Sequence, residues 1–154
     1  MYQNIKNYRI FWEQISQQEA RILRVFGTLP YVIVPVQVEG FSVTELGSYC
    51  FAQDCHLPER YNITEQLDGD TLYAVTELSG DYIESIELPD TLTGIEDYAF
   101  YNCRNLKKVI LGKNLVRIGS DIFMNCRQLC QLYLKCSFSD KTSLRQILAQ
   151  IFWD

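Results

Sequence analysis

Ile83-Glu-Ser-Ile86-Glu-Leu88-Pro89-Asp-Thr-Leu92-Thr-Gly-Ile95-Glu-Asp-Tyr98-Ala99-Phe100-Tyr-Asn102-Cys103-Arg-Asn-Leu106 is echoed by the residues that follow it. A step of 23 positions carries Ile86 to Val109 and on to Leu132, and Leu88 to Leu111 and Leu134. The same step links Ile95 to Ile118, Phe100 to Phe123, Cys103 to Cys126 and Leu106 to Leu129. Self-similarity at a fixed period of about 20 to 50 residues is the mark of stacked units, none of which can bury its own apolar face alone. In each unit the residues around Ile86 alternate, so Ile86 and Leu88 point inward while Ser85 and Glu87 point to solvent. A turn follows at Pro89-Asp90-Thr91 or Gly112-Lys113-Asn114, and a short helical segment is expected at Ala99-Phe100 and Ile122-Phe123.

Upstream the repeat is distorted. Leu29, Val32 and Val34 match the L-x-x-L-x-L spacing of a leucine-rich repeat strand, as do Ile83/Ile86/Leu88, Leu106/Val109/Leu111 and Leu129/Leu132/Leu134. The first coil carries five extra residues around Glu39-Gly40-Phe41-Ser42-Val43, and 26 more separate it from the regular units. That insertion, 54–82, coincides with a concentration of charge: nine acids from Asp54 to Glu87 against one base, Arg60. Turn signals stand at Leu57-Pro58, Asp68-Gly69-Asp70 and Ser79-Gly80-Asp81, and a helical turn is expected near Leu72–Leu78.

Caps are required at both ends of a short stack. Near the start, Tyr8, Phe11, Trp12 and Ile15 fit a helix, whereas Tyr8, Ile10 and Trp12 fit a strand. Ala20–Phe26 and Tyr31–Val38, joined by Gly27-Thr-Leu-Pro30, are expected to form a β-hairpin cap. At the other end Leu144, Ile147, Leu148, Ile151 and Phe152 follow a Ser139-Asp140 N-cap at helical spacing, which predicts an amphipathic capping helix over 141–152. One domain results: cap 1–28, repeats 29–134 with the insertion 54–82, and cap 135–154.

A net charge of −5 argues against a duplex nucleic-acid ligand. No apolar run reaches the roughly 18 residues of a membrane span, and the first twelve residues lack the apolar core of a secretory signal. The expectation is therefore a cytoplasmic protein whose six cysteines are reduced thiols. Cys103 and Cys126 hold equivalent repeat positions and read as small buried thiols. Cys50, Cys55 and His56, or Cys126, Cys130 and Cys136, lack the paired spacing of a zinc site. Nothing positions an oxyanion hole beside His56, the sole histidine. No phosphate-binding glycine pattern occurs, so neither metal nor cofactor is expected.

Parallel stacking sets equivalent residues side by side. Glu84 should lie beside Lys107, and two outward columns should form: Tyr31/Ser85/Lys108/Gln131 and Ile33/Glu87/Ile110/Tyr133. Apolar residues on a face that should be wet make Tyr31, Ile33, Glu87, Lys108, Ile110, Gln131 and Tyr133 the candidate binding residues.

The run Gly40-Phe-Ser-Val43-Thr44-Glu-Leu46-Gly47-Ser-Tyr-Cys-Phe51 resembles the opening coil of BspA-type leucine-rich repeat proteins of bacteria, typically G-x-x-V-T-x-I-G-x-x-A-F. The runs Ile95 to Leu106 and Ile118 to Leu129 resemble the family's I-G-x-x-A-F-x-x-C-x-x-L core. The resemblance implies a right-handed α/β solenoid, with a parallel sheet on one side and short helices or irregular segments on the other. It also implies a non-catalytic role in protein recognition. The alternatives are a self-assembling unit, such as a homodimer, or a piece of a larger surface adhesin.

Overall fold

A computed structural model describes residues 2–5, 8–53 and 78–135. The helix expected over 141–152, residues 54–77 of the insertion, and Cys55, His56, Cys136 and Trp153 lie outside the described residues. Eleven strands and one 3-10 turn, Ser79–Asp81, make up the described elements.

Each regular unit contributes two short strands, one to each of two sheets. On one side lie β4 (Tyr31–Ile33), β7 (Ser85–Glu87), β9 (Lys108–Leu111) and β11 (Gln131–Leu134), parallel and neighbouring in that order. The other side holds β6 (Phe41–Leu46), β8 (Gly94–Ile95) and β10 (Arg117–Ile118), also parallel. The sequence suggested one sheet; the residues after Leu92 form a second, because Leu46, Ile95 and Ile118 meet in direct register. The five-residue extension of the first coil folds back on itself. It forms β5 (Gln37–Val38) antiparallel to β6 around Glu39 and Gly40, whose φ values are 47° and 90°.

The expected α/β class needs correction, because the described residues form an all-β solenoid. Where short helices were expected, the backbone turns through left-handed residues: Tyr98 (φ 58°), Asn102 (62°), Asp121 (52°) and Asn125 (62°), with Tyr49 (60°) in the first coil. A helix cannot propagate through a left-handed residue every fourth position. Tight turns replace it, closed by Tyr101 N–H to Tyr98 O (3.0 Å) and Cys103 N–H to Phe100 O (3.1 Å). These turns are zipped coil to coil, as Phe51 N–H donates to Ala99 O (2.7 Å) and Phe100 N–H to Ile122 O (2.9 Å).

The N-terminal cap is also built differently. Ala20–Phe26 and Tyr31–Val38 do not pair with each other. The hairpin consists of β2 (Tyr8–Gln14) and β3 (Glu19–Phe26), with β1 (Tyr2–Ile5) beyond it, and β3 continues into the second sheet by pairing parallel to β6. The strand alternation Tyr8, Ile10, Trp12 prevails over the helical stripe, and all three are buried. Only Ile15 to Gln18 separate β2 from β3, so the nearest antiparallel partner for Ala20–Phe26 precedes it. Gly27 to Pro30 instead carry the chain across to the other sheet.

The core runs the length of the stack. Phe51, Phe100 and Phe123 stack with ring centroids 5.2 and 5.3 Å apart, and the first two are fully buried. Arg24, 1% exposed, clamps the first coil to the cap by donating to the carbonyls of Tyr49 and Ala52. Leu78 bridges Phe26, and Ser79 Oγ donates to Val25 O at 2.9 Å, which fastens the returning end of the insertion to β3. Gly80 sits there because nothing larger fits: a Cβ would overlap the Phe51 carbonyl oxygen and lie 2.7 Å from the Gln53 side-chain amide.

The outer edge of β4 is closed by a side chain. Ser85 N–H donates to Pro30 O and Val34 N–H to Glu87 O, so Tyr31 and Ile33 turn their backbone groups away from β7. The Tyr8 hydroxyl donates to Tyr31 O and accepts from Ile33 N–H. Pro35 follows Tyr31 and Ile33 in the outward alternation and has no N–H to offer a further strand.

Candidate binding face

The outward side chains of the four-stranded sheet fall in the expected columns. Tyr31 aligns with Ser85, Lys108 and Gln131, and Ile33 with Glu87, Ile110 and Tyr133. All seven candidate residues therefore share one face. Tyr31 is 66% exposed, Ile33 58% and Tyr133 49%; Ile110, Glu87 and Lys108 are half-buried among their neighbours, and Gln131 is exposed.

The charges on this face answer one another. Lys107 Nζ lies 2.8 Å from Glu84 Oε1, as expected from the register. Lys135 Nζ lies 2.8 Å from Glu87 Oε1, reaching across two strands to a residue 48 positions earlier. Reading only along the columns misses this second pair, because Lys135 approaches Glu87 diagonally. Lys108 Nζ stands 5.0 Å from the centroid of the Tyr133 ring, which places it for a cation–π contact. The hydrogen bonds to Glu84 and Glu87 raise the pKa of Lys107 and Lys135 respectively. Such exposed pairs add little stability, but they leave the face with few unanswered charges between its aromatic and aliphatic residues.

The other sheet presents a contrasting surface. Arg21 contacts Glu13 (2.6 Å), Glu45 (2.7 Å) and Glu96 (2.8 Å), and Arg117 reaches Glu45 at 2.7 Å. This ladder joins residues from the cap and three coils. It was not legible beforehand, because it depends on the second sheet.

Among the described residues no three His, Cys, Asp or Glu side chains converge on a point where a metal could sit. Nor is any described helix long and apolar enough to cross a membrane. Cys50 and Cys103 are buried free thiols, Cys126 is half-buried and Cys130 exposed. Burial pushes the Cys50 and Cys103 thiols up in pKa, and burial raises the Tyr8 phenol as well. In the unfolded chain thiols ionise near about 8.5 and tyrosine near about 10. Above those values the unfolded state releases protons that the native state retains, so stability falls as pH rises. Each buried thiol should contribute a slope of up to about 1.4 kcal/mol per pH unit. Urea midpoints measured from pH 7 to 10, roughly spanning this window, should decline on the alkaline side; a flat profile contradicts the buried, protonated thiols.

Comparison with known proteins follows the same lines. A family profile described as the BspA type leucine rich repeat region matches residues 35–130 and 76–152, in six copies. A leucine-rich cell surface protein of Faecalibacterium prausnitzii superposes with a TM-score of 0.56 at 23% identity, over 87% of this chain and 31% of that one. The pneumococcal vaccine antigen PcpA gives 0.46 at 17% identity, over 88% of this chain and 38% of that one. A leucine-rich repeat protein of T. pallidum gives 0.39 at 15% identity, over 90% and 92%. The chain thus spans about a third of the length of the first two. A search of curated proteins returns no match.

Proposed function

Because the chain belongs to the BspA-type leucine-rich repeat family, we propose that it is a non-catalytic module that binds another protein through the outward face of β4, β7, β9 and β11. The observation that carries this reading is the pair of columns in which Tyr31, Ile33, Ile110 and Tyr133 lie among charges already paired with one another. Tyrosine-rich patches with few unpaired Lys and Glu are the composition of interface centres. Paired charges also lose less on leaving water than isolated ones. The free thiols favour a reducing compartment, and we place the protein in the cytoplasm on that ground.

Ile110→Asp combined with Tyr133→Asp should leave the far-ultraviolet circular dichroism unchanged, since both side chains point outward. Loss of a central contact of about 2 kcal/mol lowers affinity roughly 30-fold, enough to abolish capture of the partner by immobilised protein. Capture at the wild-type level would rule the face out. A second copy of this chain is the competing occupant. Light scattering over a concentration series should then show a dimer that the double variant loses, and a strict monomer rejects it.

A further inference from the structure

Cys103 and Cys126 occupy the same position of consecutive coils, and the residues around them run in register. Asn102 N–H donates to Met124 O at 3.0 Å, and Asn125 Nδ2 to Asn102 Oδ1 at 3.0 Å, so the residues just before the two cysteines touch. Each thiol makes the same hydrogen bond one coil back: Cys103 Sγ to Phe51 O at 3.3 Å, Cys126 Sγ to Phe100 O at 3.0 Å. Neighbouring strands of a sheet lie about 4.8 Å apart. A cystine joins Cα atoms about 4.4–6.8 Å apart. In-register coils therefore bring the two backbones within range, and side-chain rotation is what closes the bond.

The two thiols differ in access. Cys103 is fully buried, while Cys126 is half-buried in the last coil among the described residues. They differ in acidity as well: burial pushes Cys103 up, and the contact with the Cys103 side chain draws Cys126 down. A thiol that is both reachable and more readily ionised, with a second thiol stacked beneath it, has the arrangement of a reacting and a resolving pair.

We propose that Cys126 is an oxidation site that reacts with hydroperoxides and is resolved by Cys103, giving a cystine across two adjacent coils. In the first step the Cys126 thiolate attacks the terminal peroxide oxygen. An S–O bond forms and the O–O bond breaks, and the departing oxygen takes a proton, leaving water or an alcohol. In the second step the Cys103 sulfur attacks the Cys126 sulfenic sulfur. An S–S bond forms and the S–O bond breaks, and hydroxide leaves as water with the Cys103 proton. Two thiols are oxidised by two electrons and one hydroperoxide is reduced. The product ties the coil of Cys126 covalently to the one before it.

Cys130 provides an internal control. It is more exposed than Cys126, but the position one coil before it is Lys107, so that coil offers it no stacked thiol. Hydrogen peroxide added to the intact reduced protein, followed by alkylation, digestion and mass spectrometry, should yield one linked peptide pair joining Cys103 to Cys126, short of two hydrogen masses. Cys126→Ser should abolish that pair and Cys130→Ser should not. In Cys103→Ser, Cys126 should accumulate as a sulfenic acid trapped by dimedone. Should that variant not fold, the wild-type peptide map alone decides. A dimedone adduct or further oxidation at Cys126 with Cys103 still free, a link to Cys130, or no linked pair overturns the proposal.

Discussion

Phe100→Ala should lower the unfolding free energy by about 3–5 kcal/mol, read from urea or thermal denaturation. The ring is wholly buried between Phe51 and Phe123 and belongs to the middle member of a three-ring column. Removing it takes one face from each neighbour, and the coils above and below cannot close the gap. They are held at a fixed spacing by Phe51 N–H to Ala99 O and Phe100 N–H to Ile122 O. A domain of this size has about 5–15 kcal/mol in total, so the variant should be partly unfolded well below the wild-type midpoint. Phe123→Ala should cost less, because Phe123 is only partly buried and, among the described residues, stacks on one ring. Equal losses at the two positions would contradict the column.

Gly80→Ala should also destabilise strongly, by up to about 3 kcal/mol, the upper end for overpacking. The obstacle is the Phe51 carbonyl, a backbone group that already serves the thiol of Cys103 and cannot swing aside. To admit a methyl group, the 3-10 turn at Ser79–Asp81 must move off the first coil. That strains Ser79 Oγ to Val25 O and Asn105 Nδ2 to Asp81 O. A lowered melting temperature with faster amide exchange at Phe51 is the expected signature. A neutral substitution would mean that the insertion's returning end is not seated against Phe51.

The repeat was legible because stacking demands it. Ile86, Val109 and Leu132 meet in one column only if the period is constant, and the strand pairings place them so. The same logic correctly placed Glu84 beside Lys107 and set out both outward columns. Three features escaped it. Gly94–Ile95 and Arg117–Ile118 are too short to show alternation, so the second sheet carried no periodic signal. Tyr49 and Tyr98 adopt left-handed backbone, where tyrosine is uncommon, and stack with ring centroids 5.3 Å apart. Short helical segments were expected at Ala99-Phe100 and Ile122-Phe123, where the chain makes turns. In the cap, Tyr31–Val38 has strand composition throughout, yet Pro35 divides it between two sheets. Composition alone does not say which neighbour a strand will choose. The candidate face was legible as a geometry of columns. The diagonal Lys135–Glu87 pair was not, since it depends on how far a flexible amine reaches.

The hydroxyl of Tyr8 bears on how such a stack is brought to an end. A solenoid of parallel coils is a one-dimensional polymer in which every finished coil is a template for the next, and growth stops only where the template is spoiled. At the start of this stack one oxygen atom occupies both the carbonyl of Tyr31 and the N–H of Ile33, the two groups an added strand would need first. It acts as a chain terminator for the four-stranded sheet: at the outer edge of β4 it takes the backbone groups on which a further strand would be laid.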